Sequence, residues 1–389
     1  MKKAKKEVRF INYRKYIIAL GILAVFLLVI NIMFRTSTVF ATTYSTTMYY
    51  YCVRVVGGIM SVIPFSVIEI LCCIALLVVL YALVSLVVTL IKYHSKATIC
   101  FFTYKVKRYL LNLACIVLAC LIIFTLNDSL LYKRLSFSVC ANITSKAHGT
   151  DELKALYLLL ENNVNGLAGK VSRDENGHFT YGDKDVEGIS VNAMNNIHEE
   201  FPFMSVYYPR PKPVLASRIM SYTGTAGFYS PFTLEANYNR DMPAIDIAHT
   251  LCHELAHISG FIHEDEANFI GYVACVKSGD DDFAYSGTVT ALIYVLNELY
   301  AVVGADEYFA ITANLCDDVR RDLNLQAAYW SEFDTPVSEV SQNLNDAYIK
   351  INGDTEGVRR YDMMVEMLID YYRLDIISTA LSSTDISTR

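Results

Sequence analysis

No two of the ten cysteines stand at CxxC spacing, which leaves no sequence basis for a thiolate metal site or a thioredoxin-like redox motif. Six of them fall at or before Cys120, and the scatter defines neither a disulfide framework nor a reducing compartment. Charge is scarce as well: Asp, Glu, Lys and Arg make up 19% of the 389 residues, against 53% hydrophobic. A chain this apolar is expected to have a membrane portion. The whole chain has a net charge of -7, with the basic residues crowded into the first 108 positions and the remainder acidic. Nucleic-acid binding therefore has no electrostatic support, and the asymmetry reads as membrane topology. There is no internal repeat.

Three apolar runs almost free of charge, at about 16–34, 70–91 and 109–126, each approach the roughly 20 residues a helix needs to cross a bilayer. They divide the chain into a membrane domain over 1–127 and a second domain over 128–389. Lys2, Lys3, Lys5, Lys6, Arg9, Arg14 and Lys15 precede the first run. Lys92, Lys96, Lys105, Lys107 and Arg108 lie between the second and third, as a loop. Both clusters are expected in the cytoplasm, which places Arg35 to Glu69 and everything after Leu126 outside it. The first run is read as a retained span. It is long for a signal peptide, and Val39-Phe40-Ala41 is a poor cleavage site. The sequon Asn142-Ile143-Thr144 is taken as chance.

From Asn127 onward the composition is that of a globular domain. Helical periodicity runs through Asp151 to Glu161 and Val289 to Val302, a turn or short hairpin is expected within Gly177 to Gly188, and Gly224 to Asn239 is strand-like. An α+β domain follows, helix-rich in its second half.

Asp241 as N-cap, Pro243 in the first turn and Gly260 as stop frame one helix around His253-Glu254-Leu255-Ala256-His257. Residues four apart share a helix face, so His253 and His257 can offer imidazole nitrogens to one zinc ion. Glu254, beside that face, can take a proton from a water whose pKa the zinc lowers and pass it to the leaving amine of a peptide. Chance gives HExxH in roughly one chain of this size per hundred, so context decides. Here the context is the framed helix, the apolar neighbours Leu251, Leu255 and Ile258, and acidic residues just downstream. The helix is too short and too polar for an intramembrane site, because it carries Asp246 and several histidines.

A catalytic zinc site needs a third protein ligand. His263 completes HExxHxxGxxH, the metzincin pattern, though no Met-turn signature accompanies it. Glu264 and Glu266 open a second expected helix, Glu264-Asp265-Glu266-Ala267-Asn268-Phe269-Ile270, which is similar to the ExxA pattern of zincins with a glutamate ligand. That match makes Glu264 the favoured ligand and Asn268 its supporting partner one turn on. The link from His257 is short for it, so His263 and Glu266 stay open. His249, four residues before His253, reads as a polar neighbour.

The sequence resembles an uncharacterised family of bacterial membrane proteins with three N-terminal spans and a zincin-like outer domain. The resemblance covers most of the chain. It rests on Pro213 to Ser217, Ser221 to Asn237 and His253 to Cys275, with Asn345 to Lys350 and Gly357 to Tyr361 as a C-terminal signature. His263 stands apart from that pattern, which further favours Glu264.

Zincins place a substrate-pairing edge strand ahead of the metal helix, where this chain has Gly227 to Asn239; a buried structural strand is the equal alternative. Glu235 and Asn237 could lie near the cleft or in a turn. Tyr285 could donate to an oxyanion, although packing suits it better. Cys252 and Cys275 read as small core residues on adjacent helices. The expected function is a membrane-anchored zinc metallopeptidase with Glu254 as base and acid and a peptide or protein substrate outside the membrane. A silent, metal-stabilised envelope binding module is the alternative, and an assembly factor working through its spans has little support.

Overall fold

The computed structural model describes residues 13–92, 96–143, 148–204, 206–352 and 361–373. Lys2, Lys3, Lys5, Lys6 and Arg9, Thr144 of the sequon and positions 357–360 of the C-terminal signature lie outside these. Three long helices open the chain: α1 (Tyr13–Thr36), α2 (Val67–Lys92) and α3 (Lys96–Phe124). They carry apolar side chains outward, Leu77 for example remaining 64% exposed. Water would not tolerate such a surface and a bilayer would cover it, so the bundle is compatible with a membrane protein. Tyr16 Oη donates to Asn112 Oδ1 at 2.6 Å and ties α1 to α3.

The third helix starts at Lys96 rather than near Tyr109, so Lys105, Lys107 and Arg108 sit on a helix and not in a loop. Hydropathy marks where a helix can meet lipid, whereas a lysine with a long stem can snorkel from within the helix. Lys105 Nζ accordingly donates to Thr89 Oγ1 on α2 at 3.0 Å.

Among the described residues a fourth helix is also long and apolar enough to cross a membrane, over Asp281–Val303. Its Phe283, Val289, Leu292, Val295 and Leu299 are buried inside the second domain, where they form core. In chain order that domain contains α4 (Thr150–Ala168), the strands β1 (Lys212–Pro213), β2 (Gly227–Ser230) and β3 (Glu235–Tyr238), then α5 (Ala244–Ile258), α6 (Glu264–Val276) and α7 (Asp281–Val303). It continues with α8 (Asp317–Ser331), α9 (Pro336–Ile351) and α10 (Tyr361–Tyr371). The 177–188 region contributes a turn closed by an isolated bridge between Arg173 and Phe179, with Gly177 at φ 77°.

The sheet is small, with strand order β1-β3-β2. β1 runs parallel to β3 and β2 antiparallel to it, Tyr229 facing Ala236. β3 is thus central and β2 is an edge. The second half is helical, as its periodicity predicts.

The stretch between α1 and α2 is mostly helical from Thr38 to Ser61 and packs on the second domain. Tyr49, buried, shares a 3.0 Å hydrogen bond with the Tyr229 hydroxyl on β2. Glu235 on β3 pairs with the buried Lys212 and accepts the backbone N–H groups of Val67 and Ile68 at 3.1 and 3.0 Å. Glu235 therefore caps the N-terminus of α2, where orphan donors and the helix dipole favour a carboxylate. Glu69 on α2 returns the contact by accepting the N–H groups of Leu215 and Ala216. The residues Glu235 and Asn237, weighed above as cleft groups, do not line the cleft.

Candidate metal centre

Helix α5 starts at Ala244 with Pro243 in the capping position, not with Asp241. Asp241 lies too far upstream and instead accepts from Tyr329 Oη, Ser221 Oγ and Arg218. Leu251, Leu255 and Ile258 are fully buried on the core face, each worth about 1.5–3 kcal/mol of transfer free energy. That packing turns His253 and His257 on the opposite face, with Glu254 beside them, toward a cleft of about 580 Å³. Gly260, at φ 91°, adopts the left-handed conformation that glycine permits. The chain can then reverse within Ser259 to His263, and the short link still returns Glu264 to the motif.

His253 Nε2 lies 3.3 Å from one oxygen of Glu264, and His257 Nε2 lies 3.9 Å from the other. The ligand atoms of His253, His257 and Glu264 fall within 4.8 Å of one another, and among the described residues no other group of three is placed this way. The His257 Nδ1 position is 2.9 Å from the Phe261 carbonyl. A proton there directs Nε2 into the cluster. Glu264 is pulled down to about 2: burial raises it, and the imidazoles of His253 and His257 outweigh the burial. Burial lowers His257 to about 4, whereas on His253 the Glu264 carboxylate overcomes burial and raises the pKa. The two imidazoles and the carboxylate thus act on one another across a shared space.

Glu254 is 4% exposed, its Oε2 has no hydrogen-bond partner, and burial pushes its pKa up to about 8. A carboxylate held near neutrality beside three ligand-type atoms is a chemically unusual arrangement. The edge strand β2 runs alongside, with Gly227 against Glu254 and Thr250.

The other candidates are placed elsewhere. Glu266 accepts the Phe137 N–H and lies outside the cluster. His263 precedes α6 with its ring edge-on to Tyr132, 5.2 Å between centroids. His249 Nε2 is 3.1 Å from the Asn268 carbonyl, in agreement with its reading as a neighbour. Asn268 lines the cleft and its side chain favours the charged form of His253. Tyr285 is fully buried and donates to Asp322 at 2.7 Å, which is a packing role. Cys252 and Cys275 are buried free thiols.

Residues without a motif complete the walls. Asp128 sits in a π-helical turn directly after α3 and accepts from Tyr348 Oη at 2.6 Å. Asp246, in the first turn of α5, accepts from Trp330 Nε1 at 2.8 Å. Burial raises the Asp246 carboxyl to about 6. Asp246 was legible only as a charge incompatible with a span, and Asp128 and Trp330 carried no local signal.

A family profile described as Protein of unknown function (DUF3810) matches residues 44–369, most of the chain. The chain belongs to the DUF3810 family. This agrees with the resemblance to an uncharacterised family of membrane proteins. No curated protein and no solved structure matches the chain.

Proposed function

We propose that this DUF3810 protein is a membrane-anchored, zinc-dependent peptidase. The observation that carries the reading is the placement of an unpaired, buried Glu254 carboxylate beside the His253, His257 and Glu264 cluster. Two imidazoles and a carboxylate on facing helices fit the donor set of a catalytic zinc site, which keeps a fourth position open. Zinc held there would polarise a peptide carbonyl and lower the pKa of water. Glu254 Oε2 takes the proton from the attacking water and delivers it to the leaving nitrogen. The edge strand β2 binds the substrate backbone by strand addition, with specificity left to side-chain subsites. A purely structural metal site would have no use for Glu254, which favours an enzyme over a silent binding module.

The zincin-like assignment of the 128–389 domain rests on the same motif and on the edge strand that precedes it. Its location outside the cytoplasm rests on the basic clusters flanking the spans. Metal analysis of the purified full chain tests the reading: close to one zinc per chain supports it, and a zinc-free protein after supplementation contradicts it.

A further inference from the structure

The lining of the cleft is one-sided in charge. It includes the carboxylates of Asp128, Asp246, Glu254 and Glu264 and, among the described residues, no lysine or arginine. Glu254 and Glu264 belong to the metal centre, where a divalent cation would balance them. Asp246 and Asp128 remain as surplus negative charge, and among the described residues their hydrogen-bond partners are neutral: Trp330 and Gln326 for Asp246, Tyr348 for Asp128.

Asp246 is the better placed of the two. It precedes His253 by two helical turns on α5, roughly 10 Å along the axis. An extended peptide advances about 3.3 Å per residue, so a side chain two to three residues from a bond held at the centre reaches it. The indole of Trp330 lines the same wall and donates its N–H to the carboxylate. A carboxylate bordered by an indole on one wall of the cleft can hold an ammonium or guanidinium group by ion pairing. The buried, unpartnered Glu254 Oε2 in the same cleft marks it as a space built for a ligand.

We infer that Asp246 and Trp330 form a subsite for a lysine or arginine side chain, so that the substrates are basic peptides or basic segments of proteins. This inference rests on the peptidase reading, because it assigns the selectivity of that cleft. Among the described residues no lysine or arginine lines the cleft to repel such a side chain, and an acidic peptide would meet the carboxylates of Asp128 and Asp246.

Trp330 is the only tryptophan in the chain, so its fluorescence reports the subsite directly. The experiment uses the zinc-loaded full chain carrying Glu254→Gln, titrated with alanine pentapeptides. A single lysine is walked through the five positions, and each peptide is paired with its norleucine counterpart. In at least one register the lysine peptide should shift the Trp330 emission and bind about tenfold more tightly than norleucine. Asp246→Asn should reduce that ratio to about twofold or less. Equal affinity of lysine and norleucine in every register overturns the subsite, and this comparison needs no variant at position 246. Cleavage of both series by the wild type without preference keeps the peptidase and removes the subsite. Lysine-selective binding with no cleavage of any peptide keeps the subsite and removes the peptidase.

Discussion

Gly227 on β2 and Glu254 on α5 are packed so closely that a methyl group at position 227 would lie 2.5 Å from Glu254 Oε1 and 2.8 Å from its Cγ. The edge strand and the Glu254 side chain therefore fix each other's position. Gly227→Ala must push one of them aside, and misplacement by about 1 Å typically costs on the order of 100-fold in rate. The variant should retain its zinc and its fold while kcat/KM for peptide cleavage falls by about that factor. Undiminished turnover at full zinc occupancy would show that the strand and the base act independently.

The candidate metal ligands separate cleanly by substitution. Glu264→Ala removes the carboxylate that faces both His253 and His257, so zinc content should fall sharply. His263→Ala should leave zinc content unchanged, since that ring packs on Tyr132 outside the cluster. The opposite pattern would install the metzincin-type ligand set.

How far the sequence reveals this site depends on how local each relationship is. His253, Glu254 and His257 are legible because one helix turn places them, and Gly260 because only a left-handed turn explains its use. Glu264 is legible only through the similarity of its helix to those of zincins with a glutamate ligand, since its approach depends on a tight reversal over five residues. Tyr348 and Asp128 stand 220 positions apart and meet only through tertiary packing, which no local pattern records. The same distinction explains the membrane portion. The apolar runs located α1 and α2 to within a few residues, whereas the start of α3 was hidden by charged side chains that a helix accepts and a hydropathy window does not.

The raised pKa of Glu254 has a consequence for stability that is independent of catalysis. Its folded value of about 8 lies above the usual 4.5 of an exposed carboxyl, so between these pH values the folded chain holds a proton that the unfolded chain releases. Stability of the metal-free protein should fall as pH rises through that window, at up to about 1.4 kcal/mol for each tenfold change in proton affinity. Glu254→Gln removes the penalty. In chelator, thermal unfolding of the variant should match wild type at pH 4 and occur at clearly higher temperature at pH 8. Equal melting temperatures at pH 8 would mean that the carboxylate is solvated.

The topology expected from the basic clusters around the spans is open to a direct test. In intact cells a membrane-impermeant thiol reagent should label a probe cysteine at exposed Leu325 on α8 and should not label one at position 96. Labelling at position 96 alone would invert the arrangement.

The central claim is that Glu254 moves a proton for a reaction centred on His253, His257 and Glu264. Its most direct test is cleavage of a broad peptide library by the full chain and by Glu254→Gln at equal zinc occupancy, with chelation and zinc re-addition as controls. Glutamine keeps the shape and removes the base, and loss of a general base typically costs on the order of 100-fold to 10,000-fold. The account predicts zinc-dependent cleavage by the wild type that falls by at least the lower figure in the variant. Zinc-dependent cleavage that survives Glu254→Gln undiminished would contradict it.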